Sequence, residues 1–150
     1  MALAINRTLR DDSSRAVFEI VSADGTAVDA TIITASTLTG ANVSGQTNHM
    51  LRVTKVIALV CDNSGAGGNV TLEWDDGVTE TAFLTLPVGH TVTTLSCTPP
   101  AASTTTSGYY VTSTDINAVS SDTNISFTLR IYVEKVRGFD NSLINILQDD

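Results

Sequence analysis

The chain has 150 residues, of which 42% are hydrophobic and 16% charged, and its formal net charge is −8. That length fits one domain with a full two-layer core, and the apolar content excludes a disordered chain. The acidic balance argues against a nucleic-acid or anionic-membrane partner, since lysine occurs only at 55 and 135 and the six arginines are scattered along the sequence.

Residues 1–14 read as an N-terminal arm. Leu3, Ile5 and Leu9 alternate loosely with polar residues, and Asp11-Asp12-Ser13-Ser14 reads as a break. The β pattern starts at Arg15. AVFEIVS (16–22) and AVDATIIT (27–34) flank Asp24-Gly25, a type I′ turn signal that predicts a hairpin. Residues 35–48 are polar and read as a surface loop. MLRVTKVIALVC (50–61) is a long strand whose second half, Val56 to Cys61, is continuously apolar. Such a run suits a strand covered on both faces, either as a central strand or by a neighbouring subunit.

NSGAGGN (63–69) follows as a flexible hairpin loop. VTLEW (70–74) and VTETAFLTL (78–86) flank Asp75-Asp76-Gly77 as a second hairpin, with Trp74 sharing the core face of Val70 and Leu72. TVTTLSCT (91–98) and GYYVTST (108–114) are weaker strands, and a polar connection links the latter to ISFTLRIYVEKV (125–136). In that last run Phe127, Leu129, Ile131 and Val133 follow Ile125 on one face, a strict period of two that predicts a strand with one face in the core. Short strands separated by turn signals indicate an all-β protein: an antiparallel β-sandwich, jelly-roll or Greek-key like, spanning 15–138.

The tail, FDNSLINILQDD (139–150), is a short helical or extended segment. Leu143, Ile146 and Leu147 have helical spacing, and with Ile144 they need a surface to dock on. That surface is either the chain's own sandwich or a neighbour. Leu3, Ile5, Leu9, Leu143, Ile144, Ile146 and Leu147 are therefore the candidate interface residues.

No chemistry-bearing constellation emerges. The only histidines, His49 and His90, have no nucleophile-base pattern around them. NSGAGGN lacks the ending of a phosphate loop, and the acids of WDDG are explained by turn chemistry rather than metal binding. Glu73 and Glu80 read as cross-strand acids on a wet face. Cys61 and Cys97 read as small buried or half-buried thiols, with one bridge between them left open. The reading is of a non-enzyme without cofactor or metal.

Taken in order, LRVTKVIALV, the Gly-rich turn, VTLEWDDG, FLTLP, GYYVTSTD and SFTLRIYVEKV resemble a group of small virion structural proteins of tailed bacteriophages. The resemblance spans residues 50–136. It implies a β-sandwich of the particle, a capsid decoration or cement protein made in the host cytoplasm and resident in the virion. Its implied partners are other virion proteins such as the major capsid protein, with no nucleic acid or membrane, and a homo-oligomer, a trimer being favoured. A head-to-tail connector, a tail component or a carbohydrate-binding sandwich for host attachment are the alternatives. The resemblance supplies no catalytic residues.

Deleting residues 139–150 is expected to leave the sandwich folded while weakening assembly. A thermal melt of the truncated chain checks it, and loss of the cooperative transition would assign the tail to the chain's own core.

Overall fold

The alternating run that closes the sequence becomes the spine of the structure. In a computed structural model of the chain, which describes residues 3–23, 25–41, 49–99, 105–106, 109–110 and 114–139, it is the strand Ile125–Arg137. Numbered in chain order, the strands are β1 (Leu3–Asp11), β2 (Arg15–Ser22), β3 (Asp29–Ile33), β4 (Met50–Asp62), β5 (Asn69–Asp75), β6 (Glu80–Pro87), β7 (Gly89–Cys97), β8 (Thr105–Thr106), β9 (Tyr109–Tyr110), β10 (Asp115–Ser120) and β11 (Ile125–Arg137). A 3-10 turn spans Ala35–Thr37.

Two antiparallel sheets form an all-β sandwich. The larger has the order β1-β2-β11-β4-β7 and the smaller β3-β10-β5-β6, while β8 and β9 make a separate two-stranded ribbon. Period two puts Ile125, Phe127, Leu129, Ile131 and Val133 of β11 in the core, facing Val70, Leu72 and Trp74 of β5. Each fully buried aliphatic side chain of this kind contributes about 1.5–3 kcal/mol. Trp74 stacks on Phe83 with ring centroids 4.8 Å apart, and its indole N–H donates to Cys97 Sγ at 3.4 Å.

The turn at 75–79 is a hairpin between β5 and β6, as its Asp-Gly signal predicts. Asp76 Oδ1 accepts from the N–H groups of Val78 and Thr79, and Asp75 Oδ1 from Gly77. The other Asp-Gly signal misleads. β2 and β3 lie in different sheets, so the chain crosses the sandwich there instead of folding back. Gly25 still has a positive φ of 73°, a conformation that glycine adopts without the strain of a Cβ. NSGAGGN likewise joins β4 to β5 across the sheets and is not a hairpin loop. Its course is set by the Asp62 carboxylate, which accepts from Ser64 Oγ and from the N–H groups of Ser64 and Gly67. Those bonds, the Ser64 hydroxyl first, hold the Asp62 carboxyl below its ordinary range.

Two further expectations are corrected. Residues 3–11 are not a free arm but the edge strand β1, hydrogen-bonded along β2. The strand expected over 108–114 falls mostly outside the described residues, of which Tyr109–Tyr110 form β9. The connection after it, expected to be polar, contains β10, an inner strand with Ile116, Ala118 and Ser120 buried. Along one rim the sandwich is closed by a corner, where Val88 alone separates β6 of one sheet from β7 of the other.

The C-terminal end of β1 is clamped. Lys135, on β11, is buried, and its Nζ donates to Asp11 Oδ1, to the Asp12 carbonyl and, at 2.8 Å, to the Thr39 carbonyl. Its own N–H donates to the Ser14 carbonyl at 2.8 Å. Phe139 packs over this ammonium, 5.5 Å from Nζ to ring centroid, and lies 5.3 Å from the His49 ring. Leu143, Ile144, Ile146 and Leu147 fall outside the described residues. Phe139 is half-buried and packs against the core, so a truncation meant to test the tail alone starts at residue 140.

Removing one partner of a buried, hydrogen-bonded charge leaves the other uncompensated. Lys135→Met is predicted to cost about 3–5 kcal/mol, read as a lowered urea midpoint at unchanged slope. Lys135→Met combined with Asp11→Asn should recover part of that loss.

Candidate interaction face

The side chains that alternate with the core set on the five-stranded sheet form its outer face. Strand register aligns them in cross-strand rows. One row runs Ile5, Val21, Thr128, Leu59, His90; the next runs Arg7, Glu19, Arg130, Ile57, Val92; a third holds Arg10, Val17, Tyr132, Lys55, Thr94. The continuously apolar run 56–61 is thus covered on one side only. Val56, Ala58 and Val60 are buried, whereas Leu59 is 47% exposed and Val92, beside Ile57, is 55% exposed. Cys61 is also exposed on this face, against its expected burial, and both cysteines are free thiols.

The polar part of the face is a ladder of cross-strand ion pairs. Glu19 takes Arg7 at 2.6 Å and Arg130 at 3.3 Å, Glu134 takes Arg52 at 3.1 Å, and the Lys55 ammonium lies 5.4 Å from the Tyr132 ring centroid. Such exposed pairs contribute about 0–1 kcal/mol each to stability, so their effect is to hold the guanidinium groups in place. Asp12 anchors the β1–β2 turn beside them. It accepts from the N–H groups of Ser14 and Arg15 and pairs with Arg10, and the Ser14 bond above all keeps its carboxyl well below the ordinary range.

The arginines that look scattered in the sequence are therefore gathered. All eight Lys and Arg residues lie in strands of the larger sheet, alongside four acids. The strands of the smaller sheet contain no Lys or Arg and five acids: Asp29, Glu73, Asp75, Glu80 and Asp115. On its outer face Asn117 stands between Thr31 and Glu73, and its Nδ2 donates to Asp75 Oδ2 at 3.0 Å. Glu73 Oε1 and Asn117 Oδ1 are buried without a hydrogen-bond partner. Burial pushes the Glu73 carboxyl upward, and the charges of Glu80, Asp29 and Asp75 push it the same way.

The other candidate chemistry disperses. His49 is buried, with Nε2 3.0 Å from the Ala41 carbonyl, while His90 is exposed on β7. No group of three or more His, Cys, Asp or Glu side chains among the described residues could hold a metal ion. No helix among them is long and apolar enough to cross a membrane. Of the expected interface residues, Leu3 packs against the core, while Ile5 and Leu9 are exposed on β1. The expected core residues Trp74, Phe127, Leu129, Ile131 and Val133 are all buried. Sequence reasoning missed Arg7, Arg10, Arg15, Arg52, Lys55 and Arg130 as a group; the only local signal was their placement on the polar phase of alternating strands. No family model, curated protein or solved structure matches the chain.

Glu73 generates a pH prediction. A carboxyl whose pKa is raised by folding stabilises the fold below its unfolded value, and that contribution is lost as pH rises through the folded value. Stability should fall between acid and neutral pH by this contribution. Glu73→Gln should raise Tm at pH 7 by about 2–4 °C and leave it nearly unchanged at pH 4; equal shifts at both pH values would refute the assignment.

Proposed function

We propose that this chain is a structural protein of a bacteriophage particle, a capsid decoration or cement protein that works through protein-protein contacts. The observation that carries the reading is the outer face of the larger sheet, where apolar Leu59, Val92 and Ile57 lie beside ordered arginines and Tyr132. Arg and Tyr around a small apolar centre are the composition of protein interfaces, and lysine, depleted in them, is nearly absent from the chain.

The strand order supports the same reading. We read β2-β11-β4-β7 facing β3-β10-β5-β6 as a jelly roll with β1 added at one edge. Every connection among these eight strands crosses between sheets except the β5–β6 hairpin, leaving aside the β8–β9 ribbon. Jelly rolls build viral capsid proteins and also lectins, so the fold alone does not choose between them. The carbohydrate-binding alternative calls for exposed aromatic rings. Among the described residues Trp74, Phe18 and Phe127 are buried and Tyr132 is half-buried, which favours the protein-contact reading.

The test is a copy number. Quantitative mass spectrometry of particles purified from the encoding phage should find on the order of 100 copies, as symmetric shell decoration requires. Recovery in about six or twelve copies would move the protein to the neck or tail, and its absence from particles would end the proposal.

A further inference from the structure

The segregation of charge between the two sheets points to a specific occupant for the outer face of the larger one. We infer that it docks the acidic outer face of the smaller sheet of a second copy, joining the molecules head to tail. This shares with the preceding reading only the premise that the face is a protein contact surface; it does not depend on the particle.

The complementary surface is carried by the chain itself. One face offers guanidinium and ammonium donors, and Arg15 makes no ion pair among the described residues. The opposite face carries Asp29, Glu73, Asp75 and Glu80 with no basic residue in its strands. Glu80, Asp29 and Asp75 crowd Glu73 with like charge, which is unfavourable in the isolated molecule. A basic layer laid against them relieves the repulsion, and its guanidinium groups can make charge-assisted hydrogen bonds to the exposed carboxylates. Exposed Leu59 and Val92 add apolar area that a nucleic-acid contact would not use, and their neighbours Arg7 and Arg130 are already paired with Glu19. A polyanion therefore fits this face less well than a folded acidic surface.

The net charge of −8 opposes association at long range, whereas the facing charges attract at contact. Salt separates the two effects. The Debye length is about 8 Å at 0.15 M and about 3 Å at 1 M, so moderate salt screens the repulsion first and high salt then weakens the contact pairs. The two faces look in opposite directions, so repeating the contact builds a linear stack and not a closed ring. This order departs from the closed trimer expected from the resemblance.

Sedimentation velocity of the full chain over a range of concentrations tests the inference. The wild type should form a concentration-dependent ladder, strongest near 0.15 M salt and lost at 1 M. Arg15→Glu with Lys55→Glu should weaken it more than about tenfold, as should Asp29→Lys with Glu80→Lys on the other face. Mixing the two variants should restore a ladder of alternating copies, because the native faces pair with each other and so do the charge-reversed ones, and combining all four changes in one chain should restore it as well. Circular dichroism checks that each variant is folded, and the wild-type salt profile stands even where a variant is not. A wild type that stays monomeric, or a closed dimer or trimer indifferent to the smaller sheet's substitutions, overturns the inference. So does binding of duplex DNA that competes with self-association. Stacking by a protein absent from particles would leave this inference standing and remove the particle reading; a monomer abundant in particles would do the reverse.

Discussion

A single buried ammonium fixes how the ends of this sandwich meet. Lys135 Nζ reaches Asp11 on β1, the Asp12 carbonyl in the following turn and the Thr39 carbonyl beyond the 3-10 turn. Two segments distant from it in sequence, Asp11-Asp12 and Thr39, converge on one charge. Burying a charge is unfavourable unless each of its donors is used, and an ammonium has three. Here all three are used, so the cost of desolvation becomes a geometric specification of where β1 must end.

That specification propagates outward. β1 is exposed along most of its length, so little apolar burial holds it on the sheet. Its backbone ladder to β2 and the clamp at Asp11 do so instead. With the Asp11 end held, Arg7 falls opposite Glu19, and Glu19 in turn holds Arg130 of β11. The arrangement of basic groups on the outer face is thus a consequence of an interaction at the end of the core.

Much of this was legible in the sequence where burial has a simple period. β11, β4 and the β5–β6 pair were visible because strand alternation and turn residues are local signals. Which sheet a strand joins is not local. Asp24-Gly25 supplies the backbone freedom for a reversal, yet the apolar faces of β2 and β3 are satisfied only across the core from each other, so the chain crosses. β10 was hidden for another reason: its core face is Ile116, Ala118 and Ser120, too small and too polar to stand out, with Ser120 Oγ accepting from Val28 N–H. The basic face was hidden most completely. Arg7 and Arg130 are isolated in sequence and meet at Glu19 only once β1, β2 and β11 are ordered side by side. Exposure of Leu59 within an apolar run has the same origin, since period two says which residues share a face but not whether anything covers it.

The corner at Val88 has a consequence for how such a protein can be enlarged. With one residue between β6 and β7, the two sheets share a hinge-free rim of continuous backbone. An added segment has no slack there to accommodate it. β1, at the far edge of the larger sheet, pairs on one side only and keeps an unpaired row of backbone donors and acceptors. A grafted strand or fused peptide therefore has a polarity of attachment built in: it can extend the sheet beyond β1, and every residue it adds widens the outer face without disturbing the closed rim.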